Sequence, residues 1–246
     1  MTWHELLNWK DRRISSALVH TARDSQGRLR QAKVFESDEA DEKTAPDVMA
    51  KAVSHKVEII SISAGFTTAT DRLRTAIHEA HATNIIVFAA ASNWGNTERV
   101  AYPARMKDHV LCMFATMGNL KSHRDINPEW RRNADNFALL GHDNELPGHS
   151  GHVSGTSAAT ALAAGMAGRI LDFERYYMPQ KKQKNTWTLS SKAGMSAVFR
   201  AMASSSENYD CIHPKRLLSL CDEEDDKETE RERVHEFIIR ALQDAE

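Results

Sequence analysis

Apolar and polar positions follow two patterns along the chain, and together these patterns predict an α/β protein. A β-rich run occurs at 57–63, continuous apolar runs of strand length occur at 85–91 and 110–115, and one further strand is possible near 136–140. Apolar residues recur at helical spacing at 46–54, 70–83, 156–174, 191–204 and 228–244. A single helix joins the first two strands, which makes a βαβ unit and implies a central parallel sheet.

The two ends of the chain differ from this middle part. The first 45 residues are polar and mixed in charge, and only 32–35 has the character of a strand. An acidic run at 222–226 is typical of a solvated face, with an interaction tail as the alternative. These differences divide the chain into a poorly defined segment, a main domain and a charged helical extension, at 1–30, 31–205 and 206–246.

Composition and charge limit the binding partners and the cellular location that we expect for the protein. The formal net charge is −2, so no bulk field attracts nucleic acid or an anionic membrane, and neither is expected as a partner. Cys112, Cys211 and Cys221 are too few for a disulfide framework and favour reduced thiols in an intracellular, cytoplasmic setting. The N-terminus has no apolar signal core, and no apolar run approaches the roughly 18 residues that span a bilayer.

One segment combines a tight turn, a hydroxyl group and the start of a helix. Gly155 allows the backbone to turn closely, and Thr156 and Ser157 lead into an Ala-rich helix. The first N–H groups of a helix lack partners within it and can stabilise an oxyanion beside a serine nucleophile. An ordinary Thr or Ser N-cap gives the same pattern, so this segment alone leaves both interpretations open.

Asn93 follows directly after the apolar strand at 85–91. In a parallel α/β sheet, sites form at the carboxyl ends of the strands, where a side-chain amide can donate to the same oxyanion as the Ser157 N–H. Taken alone, Asn93 is better explained as a turn residue. Together with Ser157 it favours the catalytic interpretation.

Four segments in this order resemble the subtilisin-like serine peptidases of the S8 family. They are 57–65, which ends in Ser-Ala-Gly, then 85–96, then 102–112 with its Tyr-Pro-Ala, and 155–165. The resemblance implies a three-layer α/β fold with a central parallel sheet that is incomplete at the N-terminal side, so 31–205 is a partial peptidase domain. A further stretch, 194–218, resembles an intracellular branch known from fungi, which adds other domains of a larger protein as candidate partners.

The resemblance also implies a role for each matched residue. Ser157 is the nucleophile, and Asn93 with the Ser157 N–H forms the oxyanion hole. No cofactor and no metal ion is implied, and the departure at Ala161, where proline is usual, suits a helix. A polypeptide substrate or peptide ligand is expected to contact the remaining matched positions: Ser61, Ser63, Ala64, Gly65, Ala91, Ser92, Gly155 and Thr156.

A serine nucleophile also needs a base and a group that orients the base. The family carries these in Asp-x-Gly and His-Gly-Thr-His motifs, and neither occurs here, so we expect an N-terminally truncated chain. His4 lies near the expected position, and matching His20 to the second His of the motif leaves Ala17 in place of the base. For these histidines, and for Asp11 and Asp24, a solvated surface position is the simpler interpretation.

Three histidines, His142, His149 and His152, lie with Asp143 shortly before Ser157. Their spacing matches no common zinc motif. A metal site and a substitute base are therefore minor alternatives, and the resemblance favours residues that line or flank the substrate cleft.

The sequence therefore predicts a serine endopeptidase domain, a hydrolase that cuts proteins through an acyl-enzyme and is inactive as this isolated chain. A non-catalytic peptide-binding or regulatory module is the alternative. A third interpretation is a chain that does not fold stably, because its sheet has an exposed edge.

Overall fold

The computed structural model describes residues 19–24, 29–33, 44–145, 151–177, 189–218 and 227–245. Several positions used in the predictions lie outside these residues: His4, Asp11, Ala17, Val34, Phe35, His149, Cys221 and the acidic run at 222–226.

A mixed sheet forms the centre of the described structure. Its strands are β1 (Val19–Asp24), β2 (Leu29–Lys33), β3 (Val57–Ile62), β4 (Ile86–Ala90), β5 (Val110–Thr116), β6 (Phe137–Leu140), β9 (Ala203–Ser206) and β10 (Tyr209–Ile212). They lie in the order β2-β1-β3-β4-β5-β6-β10-β9. Strands β3 to β6 run parallel, as predicted, and β10 joins β6 in the same direction. A separate small hairpin consists of β7 (Asn144–Glu145) and β8 (His152–Val153).

Helices cover both faces of this sheet. They are α1 (Thr44–Ser54), α2 (Asp71–Ala82), α3 (Thr156–Tyr177), α4 (Lys192–Met202), α5 (Lys215–Leu218) and α6 (Lys227–Gln243). Hydroxyl groups cap α2 and α4: Thr70 accepts a hydrogen bond from the Leu73 N–H, and Ser191 accepts one from the Gly194 N–H. The five predicted helices are confirmed with small shifts at their ends. No helix among the described residues is long and apolar enough to cross a membrane.

Along each inner strand, alternate residues point to opposite faces of the sheet, and each face is covered by a layer of helices. Along β4, Val87 and Ala89 join the core beneath α1 and α2, whereas Ile86 and Phe88 join the core beneath α3, α4 and α6. A strand that is covered on both faces needs an apolar residue at every position, which explains the uninterrupted apolar run at 85–91. The predicted α/β class with a mainly parallel central sheet is confirmed.

Two antiparallel hairpins extend the sheet beyond β3 to β6, and the strand predicted at 32–35 overlaps the end of β2 in the first of them. Strands β1 and β2 pair beside β3, and β9 and β10 pair beside β6. The predicted boundary between 205 and 206 falls inside the second hairpin. In addition, Ile238, Ala241 and Leu242 of α6 are buried in the same core as α4. The division into domains remains a prediction.

A buried acid lies between α3 and α6. Glu174 is 6 % exposed, and its Oε2 lies 3.6 Å from Nδ1 of His235. Burial raises the pKa of Glu174 above its ordinary value. The two groups are too far apart for a close hydrogen bond. We therefore infer that the ionised Glu174 carboxylate destabilises the folded state.

Replacing this carboxyl by an amide should stabilise the protein at alkaline pH. The stability that the protonated Glu174 provides is present below the ordinary pKa of glutamate and is lost as the pH rises through the raised folded pKa. In thermal unfolding followed by circular dichroism, we expect Glu174→Gln to have a higher midpoint than the unmodified chain at about pH 8. The difference should disappear near pH 4.

Glu236, the exposed residue that follows His235, supplies the control. The Glu236→Gln variant should leave the unfolding midpoint unchanged at both pH values. A lower midpoint for Glu174→Gln at alkaline pH would contradict our interpretation. It would show that attraction to His235 outweighs the effect of burial.

Candidate active site

Ser157 and Asn93 meet at the edge of the sheet where the parallel strands end. Asn93 lies three residues after β4, and Ser157 is the second residue of α3. Thr156 connects them, since its N–H donates to Asn93 Oδ1 at 2.8 Å and its hydroxyl lies 3.0 Å from the same oxygen. The residues predicted as nucleophile and oxyanion donor are therefore neighbours.

The contacts with Thr156 fix the orientation of the Asn93 amide. A backbone N–H can only donate, so the Asn93 atom that faces it is the oxygen, and the NH₂ group is directed away from Thr156. Within the described ranges, neither Asn93 Nδ2 nor the Ser157 N–H has a hydrogen-bond acceptor. Two unoccupied donors near a serine hydroxyl have the composition of an oxyanion hole.

Two glycines allow the backbone to close around this pair. Gly155 has φ +136°, and a Cβ on it would lie 2.9 Å from Asn93 Nδ2. Its N–H donates to the carbonyl of Gly141 at 2.6 Å, which ties the start of α3 to the end of β6. A Cβ on Gly141 would lie 2.6 Å from the Cβ of Ala115. Neither position has room for a side chain.

The Ser157 hydroxyl is half-buried and donates to the carbonyl of Ser63 at 3.4 Å. In return, the Ser63 hydroxyl donates to the carbonyl of Ser157 at the same distance. Among the described residues, the Ser63 carbonyl is the only hydrogen-bond partner of the Ser157 hydroxyl. A carbonyl oxygen is too weak a base to take the proton of a serine, so this contact positions the hydroxyl and does not activate it.

The residues predicted to bind substrate occupy three kinds of position. Those that contact Ser157, Asn93 or Thr156 directly are Ser63, Ser92, Gly155 and Thr156 itself. Ala64 and Ala91 are buried, and Gly65 is half-buried. Ser61 lies apart from both groups, inside β3, where it is 5 % exposed between β1 and β4. Contact of any of them with a substrate stays a prediction.

The register of β1 separates two residues that were considered for acid–base roles. Because β1 runs antiparallel to β3, Asp24 lies opposite Val57, at the amino end of β3. This is roughly 20 Å along the strand from Ser63, at about 3.3 Å per residue. His20 lies at the other end of β1, level with Ile62. Asp24 therefore lies at the amino ends of the parallel strands, whereas Ser157 lies at their carboxyl ends.

The histidines that precede Ser157 are paired with other groups. The ring of His142 packs against that of His123, with 4.5 Å between ring centroids. His152 Nδ1 lies 2.9 Å from Asp143 Oδ1. Over the part of the chain that the structure describes, no three His, Cys, Asp or Glu residues are grouped so that they could hold a metal ion.

Asn127 was not singled out by sequence reasoning, although it shapes this edge of the sheet. It is 1 % exposed, accepts a hydrogen bond from the Ala115 N–H at 2.8 Å and donates to the Ala115 carbonyl at 2.7 Å. Its NH₂ group also donates to the Ser122 hydroxyl. The amide thus replaces a neighbouring strand at the end of β5. An asparagine in a polar loop gives no indication of this in the sequence.

The subtilase family (Peptidase S8) matches residues 15–204, and the chain belongs to that family. Subtilisin NAT of Bacillus subtilis subsp. natto is 31 % identical over 125 residues, which cover 49 % of this chain and 32 % of the relative. The subtilisin-like protease het-Q2 of Podospora anserina is 31 % identical over 134 residues, covering 50 % and 36 %. The chain thus spans about a third of the length of these relatives.

Solved structures show the same fold. The prenylagaramide maturation protease PagA has a TM-score of 0.58 at 21 % identity, covering 85 % of this chain and 70 % of that one. A lanthipeptide protease has a TM-score of 0.60 at 18 % identity, covering 77 % and 69 %. The described architecture is that of a subtilisin-like protease domain.

Proposed function

We propose that this chain is the nucleophile-bearing part of a serine endopeptidase that acts on polypeptides. Ser157 is the nucleophile, and Asn93 Nδ2 and the Ser157 N–H hold the oxyanion. The observation that carries this proposal is the fixed amide of Asn93: its oxygen accepts hydrogen bonds from Thr156, and its NH₂ group has no acceptor among the described residues.

The chemistry follows from these atoms. Ser157 Oγ forms a bond to the carbonyl carbon of the substrate, and its proton passes to a base. The carbonyl oxygen becomes negatively charged and accepts hydrogen bonds from the two donors. The amine then leaves with a proton, which gives an acyl-enzyme on Ser157, and water hydrolyses this ester to release the acid.

We also propose that the base and its orienting acid come from sequence outside these 246 residues, so that the isolated chain does not cut peptides. Three observations support this. The Ser157 hydroxyl donates to a carbonyl, Asp24 lies at the far edge of the sheet, and His152 is paired with Asp143. The likeness of 194–218 to an intracellular fungal branch supports a cytoplasmic protein with further domains.

A second candidate function is a module that binds an extended peptide without cutting it. The same paired state of the Ser157 hydroxyl favours it, because binding along a cleft by main-chain hydrogen bonds needs no base. In the first candidate the Ser157 hydroxyl attacks the substrate, and in the second it takes part in no reaction.

A pair of assays on the chain and on Ser157→Ala tests the proposal. The proteins are incubated with an unfolded casein, fragments are sought by mass spectrometry, and binding of a labelled casein peptide is followed by fluorescence anisotropy. We expect no fragments that depend on Ser157. Fragments formed by the unmodified chain and absent with Ser157→Ala would show that a base is present within it. Peptide binding of equal affinity in both proteins would favour the second candidate.

A further inference from the structure

Two arginines lie over the ring of Tyr102. The guanidinium carbon of Arg74 is 5.0 Å from the centre of the ring, and that of Arg105 is 4.6 Å from it. Arg74 Nη2 also donates a long hydrogen bond of 3.5 Å to the Tyr102 hydroxyl. This hydrogen bond and the positive charge of both arginines lower the pKa of Tyr102, against the opposing effect of burial. All three residues are half-buried, so solvent reaches them, and we call them the arginine–tyrosine cluster.

The two guanidinium groups of this cluster have no acidic partner. No Asp or Glu among the described residues forms an ion pair with either of them, whereas the neighbouring Arg72 is paired with Asp47. The Arg105 Nε–H donates to the Val100 carbonyl at 2.6 Å, and its two NH₂ groups have no acceptor within the described ranges. The cluster therefore presents positive charge and hydrogen-bond donors that the described structure leaves unneutralised.

Backbone pairing places the cluster close to Ser157. Phe66 and Tyr102 exchange two backbone hydrogen bonds of 2.8 Å. Phe66 lies three residues after Ser63, whose carbonyl accepts the hydrogen bond of the Ser157 hydroxyl. Three residues of chain span at most about 11 Å, and paired residues on two strands lie about 5 Å apart. The backbone of Tyr102 is thus within roughly 16 Å of that of Ser63.

A second contact ties the cluster to the segment that carries Asn93. The Ala101 N–H donates to the Ala91 carbonyl at 2.7 Å, and Ala91 precedes Asn93 by two residues. Tyr102 follows directly on Ala101. The cluster is therefore held by the same two segments that lead to the serine hydroxyl and to the candidate oxyanion donor.

A carboxylate is the group that such a cluster is suited to bind. Its two oxygens accept charge-assisted hydrogen bonds from guanidinium N–H groups, and a planar guanidinium matches their spacing. In a polypeptide, this group is the side chain of aspartate or glutamate. An extended polypeptide advances about 3.3 Å per residue, so the acidic residue would lie no more than about five positions from the residue at Ser157.

We propose that Arg74, Arg105 and Tyr102 bind an acidic side chain of the polypeptide that occupies the Ser157 site. The chain then favours polypeptides with aspartate or glutamate a few residues from the bond that faces Ser157. This inference rests on the proposed function, because it requires that a polypeptide binds at Ser157, and it does not require that the polypeptide is cut.

Short peptides that carry a neutral fluorophore test this preference on the full chain. One glutamate is moved in turn through the positions on either side of a central leucine in a background of alanine and serine, and each peptide has a twin with glutamine in its place. Binding is followed by fluorescence anisotropy. At one position or two adjacent ones, we expect glutamate to bind about three- to tenfold more tightly at low salt. The difference should shrink at high salt, because ions screen exposed charges.

Two variants locate the preference. Arg74→Gln removes one charge of the cluster and should reduce the preference for glutamate to less than about twofold. The matched variant Arg72→Gln, at an exposed arginine of the same helix, should keep the preference in full. Circular dichroism shows whether both variants retain the helical content of the unmodified chain.

The labelling of Ser157 by a fluorophosphonate shows where the peptides bind. The preferred glutamate peptide should slow this labelling more than its glutamine twin at equal concentration. Peptides that slow labelling with no difference between the twins at any position would overturn the inference and leave the proposed function standing. If no peptide binds or slows labelling, the proposed function fails and the inference with it. A preference that persists in Arg74→Gln, or that leaves the labelling of Ser157 unchanged, would place the carboxylate elsewhere and would also overturn the inference.

Discussion

Replacing Asn127 by leucine should lower the free energy of unfolding by about 3 to 5 kcal/mol, since each buried polar group left unpaired costs about 1–3 kcal/mol. Leucine has a similar volume and none of the three hydrogen bonds. The N–H of Ala115, which is 0 % exposed, would lose its partner, and the Ala115 carbonyl would keep only the 3.4 Å hydrogen bond from the His123 N–H. Urea unfolding followed by tryptophan fluorescence measures the change.

Two further variants identify the cause of this loss. Asn127→Asp keeps the acceptor for the Ala115 N–H but not the donors, and it should be at least as destabilising because it buries a charge. Asn96→Leu, at an exposed asparagine of the neighbouring loop, should change stability by no more than about 0.5 kcal/mol. Equal, small effects at both asparagines would show that the Ala115 groups find other partners.

Replacing Gly155 by alanine should both destabilise the fold and disorganise the oxyanion donors. A φ of +136° is unfavourable for any residue with a Cβ, and this Cβ would lie 2.9 Å from Asn93 Nδ2. We expect a loss of about 2 to 4 kcal/mol, from backbone strain of about 1–3 kcal/mol plus the displaced side chain. We also expect a shift of the Asn93 side-chain NH₂ signals in NMR spectra.

The matched control is Gly118→Ala. Gly118 lies in a loop, its φ is not in the left-handed region, and a Cβ there meets no atom within 4 Å. This variant should be nearly neutral and should leave the Asn93 signals in place. An Asn93 signal that is unchanged in Gly155→Ala would mean that Thr156 alone holds the amide.

The main elements of the fold could be predicted because their residues carry periodic patterns. The run at 85–91 is apolar throughout because β4 is covered on both faces, and α2 has an apolar side because only that side meets the sheet. Ser157 and Asn93 could be located because each follows directly on such an element. Their pairing then follows from the rule that parallel strands end at the same edge of a sheet.

Apart from the end of β2, the hairpins at the sheet edges could not be predicted, for a physical reason. In β9 and β10, the residues 203–206 are Ala-Ser-Ser-Ser, and one side of an edge strand can be polar without cost. Strand β1 also changes the expectation of an exposed edge, since it pairs with the outer side of β3. Asn127 escaped prediction because its role depends on the Ala115 backbone, twelve residues away, and on no local pattern.

Our central proposal is that Asn93 and the Ser157 N–H serve as oxyanion donors and that the base for Ser157 comes from sequence outside this chain. The rate at which a fluorophosphonate labels Ser157, measured as a function of pH with Ser157→Ala as the blank, tests it most directly. Without a base only the alkoxide reacts, so the rate should rise about tenfold per pH unit from about pH 6 to about pH 9 without levelling off. A rate that reaches a plateau above about pH 7 would reveal a histidine base, whose ordinary pKa is about 6.5, and would contradict the claim.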